Sequence, residues 1–369
     1  GDEATAARYR LERESYIEGQ KTWQERAVTM YQTIEERYPT YSQMDLVLFD
    51  LAKNLELLDR YDEAIAYYVK IASEYPESEY LSDALFAIGD YYFERNEFDN
   101  AQVFFEKVLN FPDKPIYGYA MFKQAWCFYN LGDFDGAFQG FLAVVRHADE
   151  TAARGQESPI ELRREALKDL VLAYSHVGTP AKALSFFQTV DPAGYLDMGT
   201  ELAELYADQG KFEESNRLLQ TVIAADPESY RVLRHQRIIL FNADKRGKKE
   251  ETAIEAERLI GLYQRVAPTA PAEFLQPERA RVEELLRSLA TAYHSEYEKL
   301  KQTAALTLSR RLYGVYVELF PESQYAYVMH RNYGVLLYQQ QEYERAVVQF
   351  ERVLEIDPKG EFTEEAAYS

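Results

Sequence analysis

The 369-residue chain is poor in residues that break or staple a fold: 17 Gly, 13 Pro and one cysteine. A lone thiol, Cys127, closes no intramolecular disulfide, and the histidines are too few and too scattered to complete a four-ligand zinc site with it. No run approaches the roughly 18 consecutive apolar residues that a helical membrane span requires. Positive charge is scarce too. The 41 Lys and Arg face 62 Asp and Glu, a net charge of −21 that excludes a general electrostatic grip on nucleic acid or anionic lipid. The start, Gly1-Asp2-Glu3, carries neither Met nor a signal peptide and reads as a processed or cloned fragment. What the chain has is apolar bulk: 47% hydrophobic residues, with 30 Tyr and 20 Phe. That excludes wholesale disorder and, with so few breakers, points to long helices with bulky seams.

One spacing recurs along the chain: Ala, an aromatic or aliphatic residue four later, an aliphatic three after that, and Pro five further on. Ala27/Tyr31/Ile34/Pro39, Ala64/Tyr68/Ile71/Pro76, Ala256/Ile260/Tyr263/Pro268 and Ala346/Phe350/Val353/Pro358 fit it. Looser copies are Ala101/Phe105/Val108, Ala137/Phe141/Val144, Ala183/Phe187/Val190, Ser215/Leu219/Val222 and Ser309/Tyr313/Tyr316. The nine copies advance by 37, 37, 36, 46, 32, 41, 53 and 37 residues. Positions i, i+4 and i+7 share one helical face, so each copy is the buried stripe of an amphipathic helix that the proline ends. A second stripe precedes each, as in Leu85/Ile88/Gly89/Tyr92 and Tyr333/Gly334/Leu337. Short polar turns such as Leu131-Gly132-Asp133 and Gln209-Gly210-Lys211 join the two. Each copy is a helical hairpin that must stack on its neighbours to bury its faces.

These residues resemble tetratricopeptide repeats (TPR) over nearly the whole chain. The resemblance implies an all-α fold, a right-handed α-solenoid of about nine TPR-like hairpins. The connectors Tyr75-Pro76-Glu77-Ser78-Glu79-Tyr80, Phe320-Pro321-Glu322-Ser323-Gln324-Tyr325 and Pro227-Glu228-Ser229-Tyr230 repeat one phrase. They resemble bacterial cell-envelope TPR proteins of the BamD and YbgF/CpoB type. The stretch Met121 to Gly132 is similar to repeats of long deltaproteobacterial gliding-motility-type TPR lipoproteins.

The repeat spacing suggests a regular array over 1–147, irregular repeats with loop insertions over 148–277, and atypical helical repeats over 278–369. The polar stretch Ala148–Ser158 lacks an apolar stripe. Lys245-Arg246-Gly247-Lys248-Lys249 is a basic run that reads as a solvated loop, partly offset by Glu250-Glu251. A Pro-rich connector, Pro268–Pro277, precedes room for a long helix from about Glu278 to Lys299. The last residues, from Pro358, match Pro76–Phe86 in phase, so the chain is expected to stop inside a further repeat of a longer protein.

No catalytic constellation emerges: there is no Gly-rich phosphate loop, nucleophile elbow or paired-His metal motif. The five histidines read as scattered surface or half-buried residues, Asp133-Phe134-Asp135-Gly136 as a turn rather than a calcium loop, and Cys127 as a small buried hydrophobe. The expectation is a chain that is not an enzyme and needs no cofactor or metal. In TPR proteins the first helix of each hairpin lines the concave surface. That resemblance places Phe49, Phe86, Tyr119, Phe122, Lys123, Trp126, Tyr129 and Asn130 in a partner-binding groove, with Asp50, Asp83 and Asp90 beside the rings. TPR grooves that clamp a terminal carboxylate use Lys, Asn and Arg where this chain has Phe and Trp, which disfavours that ligand. The expected function is a non-enzymatic scaffold that binds protein or peptide segments in a periplasmic or cell-envelope complex, in outer-membrane assembly or gliding-motility-type machinery. Alternatives are a passive spacer array or a regulatory module for a catalytic domain elsewhere, and a cytoplasmic location.

Overall fold

The structure, a computed structural model, describes residues 2–155 and 160–368, with side chains from Glu18 onward except that of Ile160. Among the described residues the regular elements are all helical. The chain packs as two compact units, Gly1–Gly178 and Thr179–Ser369. The first holds α1 (Asp2–Arg37), α2 (Met44–Leu57), α3 (Tyr61–Glu74), α4 (Leu81–Glu94), α5 (Phe98–Val108), α6 (Tyr117–Asn130), α7 (Phe134–Ala153) and α8 (Ile160–Val177). The second holds α9 (Pro180–Val190), α10 (Tyr195–Asp208), α11 (Phe212–Ala225), α12 (Val232–Lys245), α13 (Lys249–Val266), α14 (Ala272–Leu300), α15 (Thr303–Leu319), α16 (Ala326–Gln339), α17 (Tyr343–Ile356) and α18 (Thr363–Tyr368). Within each unit an even helix forms a hairpin with the odd helix after it, and successive hairpins stack.

The nine stripes fall on the odd helices, α1 to α17. Ala101, Phe105 and Val108 on α5, Ala137, Phe141 and Val144 on α7, and Ser309, Tyr313 and Tyr316 on α15 are fully buried. On α13 the stripe is Thr252, Ala256, Leu259, Tyr263 and Val266, and Ile260 lies on its flank. The spacing there counts from Thr252, a polar residue whose hydroxyl donates to the Lys248 carbonyl, so an apolar search starts one turn late.

Lys301, at φ 55°, ends α14, and six hairpin turns end the even helix with a left-handed residue, Asp59, Asn96, Gly132, Gly210, Gly247 or Gln341, with φ between 59° and 81°. The residue after it donates back into the helix, as Arg60 N–H does to Leu55 O and Glu342 N–H to Leu337 O, at 2.9 and 3.0 Å. This satisfies carbonyls that a helix end leaves bare. The recurring connector phrase also has a physical role. Its serine hydroxyl accepts the N–H two residues on (Tyr80 to Ser78, Tyr325 to Ser323), while donating to a carboxylate one repeat earlier, Asp45 or Glu283. Gly89 and Gly334 sit at one repeat position in different units. A Cβ there would lie 2.7 Å from the ring of Phe105 or Phe350, so glycine sets how closely the helices approach.

Several expectations need correction. α14 begins at Ala272 and runs through Pro277, so the long helix starts six residues early and the Pro-rich connector is confined to 267–271. Pro277 lies in the second turn, where its missing N–H forfeits a single helical bond. α7 continues to Ala153, with Ala148 buried, so the start of the polar stretch is helical; its end, 156–158, lies outside the described residues. The basic run is paired only in part: Arg246 binds Glu213 and Glu251 and Lys249 binds Glu296 and Gln302, while Lys245 and Lys248 stay exposed. Three histidines are buried, each on a side-chain partner: His235 on Thr200, His294 on Tyr313 and His330 on Gln349. Burial lowers the pKa of all three, that of His235 to about 4, so they pack as neutral rings. Asp133 caps α7 by accepting the Gly136 N–H at 2.9 Å, the structural role expected of that turn. Cys127 is buried, and burial pushes its thiol up to about 12.

Candidate segment-binding groove

In the first unit α2, α4 and α6 present one face built of rings and carboxylates. Two pockets lie along it and meet at Glu94. The larger, about 700 Å³, lies between α2, α3 and α4 and is lined by Tyr61, Tyr68, Phe86, Tyr91 and the carboxylates of Glu56, Asp83, Asp90 and Glu94. The smaller, about 420 Å³, is lined by Phe93, Phe98, Phe122, Lys123, Trp126 and Asn130. Both volumes fall in the roughly 300–1,000 Å³ range of ligand sites.

The sequence-predicted residues divide between these surroundings. Phe86 lines the larger pocket and packs on Phe105. Phe122, Lys123, Trp126 and Asn130 come together in the smaller one. Phe49, Tyr119 and Tyr129 line neither. Phe49 is stacked on Tyr80, ring centroids 4.9 Å apart. The Tyr129 hydroxyl lies 3.2 Å from His176 Nε2, towards α8. Tyr119 is 43% exposed beyond the pockets.

Polar commitments narrow what these groups can do. The Trp126 indole donates to Asp169 Oδ2 on α8 at 3.0 Å and its ring meets Phe141 edge-on, so it offers a ring surface to a ligand rather than a donor. Asp169 is buried, and desolvation raises its pKa to about 6 against the lowering effect of the indole bond. Lys123 pairs with Asp90 at 2.6 Å and lies 4.4 Å from the Phe93 centroid, while Asn130 donates to the Trp126 carbonyl. Lys123 and Asn130 are therefore tied down, and the pocket walls are set before any partner arrives. The described residues hold no cluster of three or more His, Cys, Asp or Glu suited to a metal, and no described helix is long and apolar enough to cross a membrane.

Family models described as tetratricopeptide repeat match residues 46–78 and 119–150, and a second such model matches 82–112 and 332–359. The chain carries tetratricopeptide repeats. No curated protein matches it. Among solved structures, the C-terminal part of a TPR repeat-containing protein from Cytophaga hutchinsonii aligns at 15% identity, covering 75% of this chain and 96% of its own, with a TM-score of 0.39. YrrB, described as a TPR protein with an unusual peptide-binding site, aligns at 18% identity over 56% of this chain and 97% of its own, with a TM-score of 0.37. PilF from Pseudomonas aeruginosa aligns at 13% identity over 66% and 97%, with a TM-score of 0.32.

In TPR terms the even helices are the first of each hairpin, and the pockets lie along three successive copies. The sequence reading missed Tyr61, Tyr91, Phe93, Phe98, Glu56 and Glu94. Tyr61 and Phe98 open the second helix of a hairpin, just past the left-handed turn residue, at the position that Phe134 and Phe212 also occupy. That recurrent aromatic was the available signal.

Proposed function

We propose that this TPR chain is a non-enzymatic scaffold that captures polypeptide segments on the α2–α4–α6 face as part of a bacterial envelope complex. The observation that carries the reading is the two-pocket face itself. Half-buried rings are held by fixed partners, and a TPR face of this kind suits a partner's side chains better than a reacting small molecule. Partly exposed aromatic clusters mark interaction surfaces and, once desolvated, supply most of the binding energy. The envelope setting is supported by the likeness of the connector phrases and of Met121–Gly132 to envelope TPR proteins.

Photo-crosslinking from Phe122, with capture from an envelope extract, tests it. Capture is expected to be lost in the Phe122→Ala/Trp126→Ala double variant with the helical circular-dichroism signal intact, and to survive Lys248→Ser. A folded double variant that captures the same partners would remove this face as the site.

A further inference from the structure

We propose that the pocket between α2, α3 and α4 receives the cationic side chain of a lysine- or arginine-bearing segment of another protein. The inference rests on the groove reading and adds the chemistry of its occupant.

The structure shows three times over how this region treats a cation. Lys53 pairs with Glu56 at 2.9 Å and lies 5.8 Å from the ring centroids of Phe49 and Tyr68. Arg95 pairs with Asp62 at 2.6 Å and covers Tyr91 at 3.6 Å. Lys123 pairs with Asp90 and covers Phe93. Each cation meets one carboxylate and one ring face, the arrangement in which charge pairing and cation–π attraction reinforce each other.

The pocket between these pairs has Lys53 and Arg95 in its lining, each already paired, and leaves one carboxylate without a cation. Asp83 has no Lys, Arg or His partner within 4 Å among the described residues; it accepts from the Ser82 hydroxyl at 3.1 Å. The Tyr68 hydroxyl, on a residue 1% exposed, belongs to the pocket lining and has no hydrogen-bond partner. Burial and the charge of Glu56 and Asp83 hold that phenol protonated. Phe86 and Tyr91 supply ring faces beside it. A buried hydroxyl without a partner is a cost that a native fold usually relieves.

Charge around the pocket favours the same ligand. Residues 45–99 hold fourteen carboxylates against four Lys and Arg, the densest acidic stretch flanking any pocket of this face. Such a field draws a basic segment in, while the committed carboxylates leave Asp83 as the one to be paired.

Fluorescence anisotropy of the full chain with labelled Lys-Leu, Gln-Leu and Glu-Leu alternating decapeptides tests this. The Lys-Leu probe is expected to bind at least ten-fold tighter than the Gln-Leu probe and to lose most of that margin in Asp83→Asn/Glu94→Gln, with Asp83→Glu restoring part of it. Glu77→Gln/Glu79→Gln removes the same charge from the nearby connector and is expected to cost less than two-fold. Equal losses from the two double variants would assign the preference to the field of the whole chain and overturn the pocket. If the three probes bind alike and Phe86→Ala weakens them all, the groove stands and its cationic occupant falls.

Discussion

The two units use one repeat grammar for different ends. The first carries 32 carboxylates against 18 Lys and Arg, the second 30 against 23, so the first holds two thirds of the net charge. Among the described residues the first buries Ser82, Asp169 and Ser175 as its polar groups. The second buries twelve, among them Glu255, Glu278, His235, His294 and His330. In the second, Arg237 on α12 reaches Glu278 on α14 and Gln236 on α12 reaches Glu255 on α13, tying helices together inside the stack, while Arg281 and Arg258 pair with the same carboxylates from their own helices. In the first, the seams are rings and small residues, and the charges stand on the even-helix face. A polar interior fixes how repeats register on one another, whereas an apolar interior leaves the charged groups at the surface for a partner.

The sharpest way to break this contrast is to orphan a buried charge in each unit. Ala101→Glu inserts one into the buried cluster that holds Phe105, and Arg237→Met leaves Glu278, which is 1% exposed, only its longer pair with Arg281 at 3.4 Å. Each is expected to cost about 3–5 kcal/mol, seen as a lower melting temperature with faster hydrogen exchange in its own unit first. Glu94→Ala should stay within about 0.5 kcal/mol. If Arg237→Met melted like the parent, the polar interior would not be holding the second unit together.

Gly89→Ala and Gly334→Ala probe what the units share. Each added methyl must displace a phenylalanine ring, so matched losses of about 1–3 kcal/mol are expected from denaturant titrations. Losses that differ by more than about 1 kcal/mol would mean the two positions are not equivalent.

Asp169 gives a pH-dependent test. Its folded pKa is raised from 3.8 to about 6, so the fold binds this proton more tightly than the unfolded chain does. Stability from this group is therefore highest below pH 4, falls as pH rises from 4 to 6, and is lowest above. Asp169→Asn keeps an acceptor for Trp126 and is expected to stabilise by about 1–3 kcal/mol at pH 7.5 and by little at pH 4. An equal effect at both pH values would mean that no buried carboxylate titrates there.

The smallest effect is at the hairpin turns. Gln341, at φ 60°, is expected to gain about 0.5–1 kcal/mol on replacement by Gly, and Asn96 less because Asn tolerates the left-handed region. Equal gains would mean that side-chain type does not matter at this turn.

Most of the repeat fold was legible because each seam is a local i, i+4, i+7 pattern, as with Ala101/Phe105/Val108. It failed where the seam begins with a polar residue satisfied by its own backbone, as at Thr252, and where proline sits early enough in a helix to be tolerated, as at Pro277. Of the groove, Phe86, Phe122, Lys123, Trp126 and Asn130 were readable from repeat phase. Phase could not show that Asp169, 43 residues away, would hold the Trp126 indole, or that Tyr129 would face His176. Those contacts depend on the turn of α8, a longer-range outcome than any spacing records. Tyr61 and Phe98 lay at a recurrent aromatic position on the other helix of the hairpin.

The most direct test of the central claim, that the α2–α4–α6 face of the first unit is the binding surface, is hydrogen-exchange footprinting of the full chain with and without the Lys-Leu decapeptide. Protection is expected over residues 53–95 and 122–130, with the second unit unchanged. Protection confined to residues 179–368, or none at saturating peptide, would contradict it.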